Sequence, residues 1–492
     1  MFQKILVLNR GEIAVRVMRT CREMGIPTVA LYHESDRNSL HVWMADECVQ
    51  LGAPFEFTNQ DAILHIARQV GADAIHPGYG FLAEREDFVR RCDSEGITFI
   101  GPPAEVLASV RHKLAALSCA QEAGVPVPEH SFEAFRPGDL AALRAEAGRL
   151  GYPLVVKSSR GGRGRGARLV WSPERLERAL RRAHAEALIF YGERRVYLER
   201  AILPAHQVGV QVIGDGYGNL VHLGEREGSL LYGNQKVIEE SPAPCLDKTE
   251  RARLLDTALK LARLFGYQNV GTVEFLANGN GEFYFTEIKP RLQVEHPLAE
   301  MRSGVDLVRA QIHIAAGEPL ELEQGRLELS GWAMQCRLSA SDPWRANLPS
   351  PGHVSQLRLP GGPDVRVDTY LSCECDVPEA YDPLIAKMIV RAADRPACIR
   401  RLRSALQEFQ LVGTETNLPL VQRLLEQPGF QQGDYSTELL MSSIPDDPGY
   451  ERRLRDLAVV AAVAHVLRRQ AGRSATPERL QSGWHRNNRR LA

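Results

Sequence analysis

Apolar positions near the start of the chain fall into short runs separated by amphipathic stretches. Ile5-Leu6-Val7-Leu8 reads as a buried strand, 9–12 as a turn, and 13–24 as a helix carrying Ile13, Val15, Val17 and Met18, with a second strand at 27–32. Strand, helix, strand at this spacing is a βαβ unit and implies a parallel sheet. The pattern repeats through a strand at 48–51, a helix around 60–70 and strands at 74–76 and 98–101, so residues 1–112 are expected to form one α/β domain. No Gly-x-Gly-x-x-Gly follows the first strand, which argues against dinucleotide binding there.

Val125-Pro126-Val127-Pro128 breaks the chain, and strand signals then recur at 154–157 and 196–199 around an Arg- and Ala-rich helix. Between strands lies Ser158-Ser159-Arg160-Gly161-Gly162-Arg163-Gly164-Arg165-Gly166, a loop whose glycines permit close backbone approach to phosphate. From 204 to 445 strands and helices alternate with hairpins. In one of these, 271–277 and 282–287 flank the turn Asn278-Gly279-Asn280-Gly281. Pairing 277 with 282 puts 274 opposite 285 and 272 opposite 287, which makes Glu274 and Glu287 diagonal neighbours about 7 to 8 Å apart on one face. Two carboxylates so placed suit a hard cation such as Mg²⁺. Beyond them, 287–296 carries charged or amide side chains at every odd position, Glu287, Lys289, Arg291, Gln293 and Glu295. A solvated strand face with a Lys289–Glu pair would show the same alternation.

Composition narrows the function classes. The 60 basic and 61 acidic residues of the 492 give no global field for nucleic acid or an anionic membrane. Nine scattered cysteines, with no Cys-x-x-Cys, indicate neither a disulfide framework nor a zinc site. Cys373 and Cys375 are expected on one side of a strand. Met1-Phe2-Gln3-Lys4 leads straight into the first strand without a signal-peptide pattern, and no apolar run approaches about 18 residues, so a cytoplasmic location is expected. The stretch 457–467 is apolar on all sides and is expected to be buried in the body or a partner. A basic tail with Arg468, Arg469, Arg473, Arg479, Arg486, Arg489 and Arg490 follows it.

The row Glu287 to His296, with Arg291-Leu292-Gln293-Val294-Glu295-His296, resembles the signature of biotin carboxylases. The resemblance runs from Lys4-Ile5-Leu6-Val7-Leu8-Asn9-Arg10-Gly11-Glu12 through His76-Pro77-Gly78-Tyr79-Gly80-Phe81 to Leu348-Pro349-Ser350-Pro351-Gly352 and Tyr381-Asp382-Pro383-Leu384. It implies a three-domain ATP-grasp fold of class α/β (α+β): an N-terminal parallel domain at 1–112, a linker helix and small lid at 113–203, a large C-terminal α+β domain at 204–445, and a helix and basic tail at 446–492. It further implies an acyl-CoA carboxylase component that uses ATP and bicarbonate to carboxylate biotin, with Mg²⁺ or Mn²⁺ as metal. No Met-Lys-Met biotinylation motif is present, so biotin is expected on a separate carrier protein, with a carboxyltransferase subunit as second partner and a homodimer as the assembly. The tail, around Ser482-Gly483-Trp484-His485-Arg486-Asn487, is similar to the point where larger acyl-CoA carboxylase α-subunits leave the carboxylase domain and enter the segment that contacts the carboxyltransferase, and a solvated helix end is the other reading.

By the same resemblance, Lys113, Lys157, Gly161, Gly162 and Gly164 would meet phosphate, Glu199, Arg200 and Ile202 the adenine, and Gln207 the ribose. Glu274 and Glu287 would hold the metal. Lys236, Arg291, Gln293 and Val294 would bind bicarbonate, and Glu295 would take its proton, which calls for a pKa lifted toward neutrality by burial against the pull of Arg291. Arg337 would stabilise the biotin enolate and Tyr79 would line its pocket. Departures fall on the ATP side. Arg160 and Arg163 replace loop glycines, Leu231 and Asn234 replace a Gln and a His, and Gln207 replaces a His. Lys289 stands where a metal-binding Asn is usual. An ammonium cannot ligate, and at ~4 Å from a carboxylate it gains ~4 kcal/mol at an effective dielectric of 20, so it would compete with Mg²⁺. A catalytically impaired paralogue acting in regulation or assembly, and a related ATP-grasp ligase with another acceptor, are the alternatives.

Overall fold

The computed structural model describes residues 1–159, 167–232, 235–439 and 450–470. The phosphate-loop residues Arg160 to Gly166, Asn234 and the tail from 471 lie outside them. Met1–Ser443 form one compact unit and Ile444–Ala492 a second.

The first sheet is parallel throughout, with strands β1 (Ile5–Val7), β2 (Thr28–Tyr32), β3 (Glu47–Gln50), β4 (Ala74–His76) and β5 (Thr98–Phe99) in the order β3-β2-β1-β4-β5. Its central strands β1 and β2 are buried on both faces because both are covered, whereas the edge strand β3 is mostly exposed. Ile5, Val7, Ala30 and Ala74 pack with Ile13 and Val17 on one side, and Leu6, Val29, Leu31 and Ile75 pack with Ile63, Leu64 and Phe88 on the other. A second sheet, β7-β6-β8, is antiparallel and consists of β6 (Leu154–Ser158), β7 (Arg168–Val170) and β8 (Val196–Arg200), with Leu176, Leu180 and Ala183 of the helix Pro173–Tyr191 in its core.

The third sheet carries the polar groups of interest. Its strands are β9 (His206–Gly214), β10 (Leu220–Tyr232), β11 (Gln235–Ser241), β12 (Asn269–Ala277), β13 (Phe283–Lys289) and β14 (Trp332–Ser339), continued by Leu384–Ala392 and Val365–Thr369. Among the described residues the order is β13-β12-β9-β10-β11-β14, then Leu384–Ala392, then Val365–Thr369 at the far edge.

Two expectations change. The first helix spans Gly11–Glu23, starting two residues early, because Gly11 adopts φ +68° and turns the chain into it. Cys373 is exposed and Cys375 buried, in a turn around Glu374 at φ +69°, so alternation along a strand does not apply to them. In the second unit the apolar stretch 457–467 lies within the helix Tyr450–Gln470. Its alanines and leucines favour helix. Among the described residues no helix is long and apolar enough to cross a membrane.

The early helix start aims Glu12 inward, where the fully buried ammonium of Lys387 lies 2.9 Å from Glu12 Oε2 and 3.5 Å from Asp368 Oδ2. Burial pushes the Glu12 carboxyl up, whereas Arg366 and Lys387 overcome burial and hold Asp368 below the usual carboxylate range. Removing the cation alone would leave two buried carboxyls facing each other, a loss of ~3–5 kcal/mol. Lys387→Met is therefore expected to lower the thermal midpoint sharply, and adding Glu12→Gln should recover part of the loss. An unchanged midpoint in the single variant would refute this role.

Candidate active site

The β12–β13 hairpin sets the first pair of carboxylates. Ala277 pairs with Phe283 and Phe275 with Phe285, then an irregularity absorbs Thr286 and brings Glu274 directly opposite Glu287. The expected register, 277 with 282 and 274 with 285, is therefore wrong. The turn closes one residue wider, with Asn278 N donating to Glu282 O at 3.1 Å, and Thr286 Oγ1 donates to Glu274 O at the bulge. Direct opposition strengthens the argument for a shared cation.

Glu287 is already engaged. Its Oε1 lies 2.7 Å from Lys289 Nζ and its Oε2 lies 3.4 Å from Lys113 Nζ, beside a cleft also lined by Glu84. Burial would raise the Glu287 pKa, but Lys113, Lys289 and Lys157 hold it well below the ordinary range. Lys113 is pulled down by burial, aided by Lys289 and Lys157. Lys289 is raised, because Glu287 and Glu84 outweigh the burial that lowers it. As hard oxygen donors on adjoining strands, Glu274 and Glu287 fit a Mg²⁺ ion next to nucleotide phosphates, with the Lys289 ammonium competing for one oxygen.

Strand β13 ends at Lys289, so the odd-position alternation does not continue through 291–295. The side chains diverge instead. Arg291 donates through Nε to Glu84 Oε1 at 2.6 Å and through Nη1 to the Leu292 carbonyl at 2.9 Å. Gln293 donates to Glu274 Oε1 at 2.7 Å and accepts from Arg226, which also reaches Thr272 Oγ1 at 2.8 Å. Val294 and Glu295 lie in the turn leading to the helix Pro297–Ser303. Glu295 is clamped, with Lys236 Nζ at 2.6 Å from Oε1, Arg337 Nη2 at 2.9 Å from Oε2, and Arg226 Nε at 3.8 Å. Arg337 is oriented from behind by buried Glu239, to which its Nε donates at 2.8 Å, and Glu239 also accepts from Gln335 at 3.2 Å. Tyr79 donates to Glu12.

The Glu295 pKa contradicts expectation. Burial raises it, but Lys236, Arg337 and Arg226 together hold it well below the ordinary carboxylate range, and Arg291, paired with Glu84, is not among the main causes. On the nucleotide side, Lys157 Nζ lies 2.5 Å from Glu199 Oε2 and Tyr197 donates to Glu199 Oε1 at 2.7 Å. Arg200 donates to the Leu150 carbonyl at 3.0 Å, Ile202 is half-buried, and the Gln207 backbone N–H donates to Ser229 Oγ at 3.0 Å. Leu231 pairs with Lys236 across β10 and β11. The expected loop contacts Gly161, Gly162 and Gly164 fall outside the described residues. Sequence reasoning missed Glu84, Arg226 and Glu239. Only the last two carry any local cue, each being a charge within an otherwise strand-like run.

The sequence matches family models described as biotin carboxylase N-terminal domain over 1–107, carbamoyl-phosphate synthase L chain ATP-binding domain over 112–323, and biotin carboxylase C-terminal domain over 335–442. Biotin carboxylase 1 of Bacillus subtilis is 41% identical over 444 residues, covering 89% of this chain and 98% of its own length. The chain belongs to the biotin carboxylase family. The propionyl-CoA carboxylase alpha chain of Ruegeria pomeroyi is 38% identical over 495 residues, 96% of this chain and 72% of that one. The biotin carboxylase domain dimer of Hydrogenobacter thermophilus 2-oxoglutarate carboxylase, solved with MgADP, ADP and bicarbonate, superposes with a TM-score of 0.87 at 40% identity, over 90% of this chain and 98% of that chain. The fold is thus the ATP-grasp fold of biotin carboxylases.

Replacing the competing ammonium tests its effect on the metal. Lys289→Asn is expected to tighten Mn²⁺ binding to the nucleotide-loaded protein, followed by loss of the free Mn²⁺ resonance, and to lower the Mg²⁺ concentration that half-saturates bicarbonate-dependent ATP hydrolysis with excess free biotin. Equal metal dependence in both proteins would sink the idea.

Proposed function

We propose that the chain is the ATP-dependent biotin carboxylase component of an acyl-CoA carboxylase. The observation that carries this reading is the convergence of Lys236 and Arg337 on Glu295, with Arg226 close behind. A carboxylate held by cations that also face an open site is a stand-in for a small oxyanion. When bicarbonate enters, Lys236 and Arg337 exchange part of their hold on Glu295 for the substrate, and Glu295 regains basicity just where a proton must be taken.

Lys113 and Lys157 hold the nucleotide phosphates as point charges, with the loop glycines Gly161, Gly162 and Gly164 beside them. Glu199, Arg200 and the backbone at Ile202 receive the adenine, and Gln207 the ribose. Mg²⁺, bound through Glu274 and Glu287, neutralises the phosphates and holds them in line. Gln293, the Val294 backbone and Arg291 orient bicarbonate, whose oxygen attacks the γ-phosphorus and releases ADP. The resulting carboxyphosphate gives CO₂ and phosphate, and a biotin nitrogen attacks the CO₂. Arg337, a permanent cation with its orientation fixed by Glu239, stabilises the enolate oxygen of biotin, and Tyr79 lines that pocket. Biotin arrives on a separate carrier protein and leaves to a carboxyltransferase subunit. The assembly is a homodimer in the cytoplasm, with 446–492 as a docking segment for a partner.

A second reading, an impaired paralogue with a regulatory or assembly role, draws on the two lysines already bound to Glu287. Release of ADP separates the two. The enzyme is expected to release it much faster with both bicarbonate and biotin present than with either one absent, and ATP binding without that dependence would favour the paralogue. Arg337→Ala should reduce biotin-dependent turnover by ~10²–10³ while leaving ATP affinity within a factor of about two.

The pH dependence has a definite sign. A depressed carboxylate stays ionised until the pH falls through its folded pKa, so Glu295 of the free enzyme should remain a base well below its ordinary value of about 4.3. kcat/KM, expressed against the bicarbonate present at each pH, is expected to show no acid limb between about pH 5.5 and 7. A limb centred in that window would refute the assignment.

A further inference from the structure

Away from the site described above, three segments distant in sequence bring one nitrogen, one carboxylate and one sulfur ligand together. His206 opens β9, Glu227 lies within β10, and Cys245 sits in the connection between β11 and the helix Lys248–Leu264. One ligand atom from each lies within 4.8 Å of the other two. No spacing signal in the cysteines could have found this cluster, because it contains only one of them.

The geometry points to a site for a divalent transition-metal ion of the zinc class, held by His206, Glu227 and Cys245, with a water completing a tetrahedron. Glu227 is fully buried. Its Oε1 accepts from Ser229 Oγ at 2.7 Å and lies 2.7 Å from His206 Nδ1, while its Oε2 is buried with no hydrogen-bond partner. The carboxylate's remaining neighbour is the Cys245 thiol, a weak donor, so its buried charge is under-compensated and a cation is the stronger partner. Ser229 in turn accepts from the Gln207 backbone N–H, so the carboxylate is positioned rather than merely present.

The donor set selects the ion. Thiolate and imidazole favour zinc-like ions over Mg²⁺, and three protein ligands with one open position is a familiar zinc arrangement. Metal–ligand bonds of ~2.0–2.3 Å require donor atoms ~3.3–3.8 Å apart, which small side-chain rotations from the present spacing supply. Charge balances too: Glu227 and a Cys245 thiolate offset the ion, with His206 neutral. Burial and the Glu227 charge push the Cys245 thiol up, so it carries a proton that the metal displaces to solvent as the metal–sulfur bond forms. Neighbouring Glu240, which pairs with Glu227 across β10 and β11, is occupied by Arg395 at 2.8 and 2.9 Å and does not compete. The bound ion would pin the start of β9 to the β11 connection, one residue before Gln207.

The test uses the full chain freed of metal by chelator and titrated with Co²⁺ in millimolar Mg²⁺. One equivalent is expected to produce a near-ultraviolet sulfur-to-cobalt band and the visible bands of a four-coordinate ion. Cys245→Ser should lose the sulfur band, His206→Asn should weaken binding at least about tenfold, and a Cys48→Ser/Cys373→Ser protein, lacking the two exposed thiols, should retain both features. Zn²⁺ should raise the thermal midpoint of the native chain and not that of His206→Asn. A sulfur band that survives Cys245→Ser, or one that disappears with Cys48 and Cys373, would overturn the site, as would the absence of any sulfur band in the native protein.

Discussion

Everything around the site depends on keeping the Glu295 carboxylate ionised inside the protein. A buried charge with no partner is prohibitive, and one with a single partner still leaves acceptor capacity unmet. Glu295 has Lys236 on one oxygen and Arg337 on the other, with Arg226 beyond. Those groups come from the central strands β11, β14 and β10, while Glu295 itself follows β13 at one edge of the same sheet. The clamp therefore requires the segment after Lys289 to return across the sheet, and Gln293, bonded to Glu274 on β12 and to Arg226 on β10, lies on that path. Glu239 balances Arg337, Gln335 fixes Glu239, and Gln293 links Arg226 to Glu274.

Such a network is stable only when complete, and that gives it a use. In the proposed mechanism, Lys236 and Arg337, the two cations in direct contact with Glu295, would also meet the entering anion. Lys236, Arg337 and Arg226 against Glu295 and Glu239 leave one positive charge in excess, which an entering monoanion would offset and a neutral molecule would not. Selectivity for a small anion and adjustment of Glu295 basicity are thus two consequences of one arrangement.

The layers of the fold were legible because they rest on local pattern. The runs at 5–8, 27–32 and 74–76 are apolar at consecutive positions, which only a sheet covered on both faces accommodates, and the structure buries them so. What the pattern could not carry was register and direction. Thr286 is one residue of no special appearance, yet as a bulge it converts a diagonal pair of glutamates into a facing one. The alternation from 287 to 295 was real in the sequence, but its meaning ended with β13 at Lys289, and Arg291 turned to Glu84, about two hundred positions away in the chain. The sign of the Glu295 shift was equally hidden, since it depends on three cations brought from three other strands. Lys289 beside Glu287, by contrast, followed directly from a period of two within a strand that does extend that far.

That lysine separates binding from turnover. Lys113, Lys157 and Lys289 face Glu287, Glu199 and Glu84 around the nucleotide half, so three ammonium groups stand ready to meet a polyphosphate. A tethered ammonium, however, differs from Mg²⁺ in kind. It donates hydrogen bonds, carries a single charge and cannot bridge two phosphate oxygens with octahedral geometry. It therefore supports the ground state, in which charge rests on the phosphates, better than the transition state, in which charge moves between attacking and leaving oxygens. An interaction that favours both states equally raises affinity without raising rate. The expected signature of Lys289 is accordingly undiminished nucleotide affinity with a lower ceiling on phosphoryl transfer.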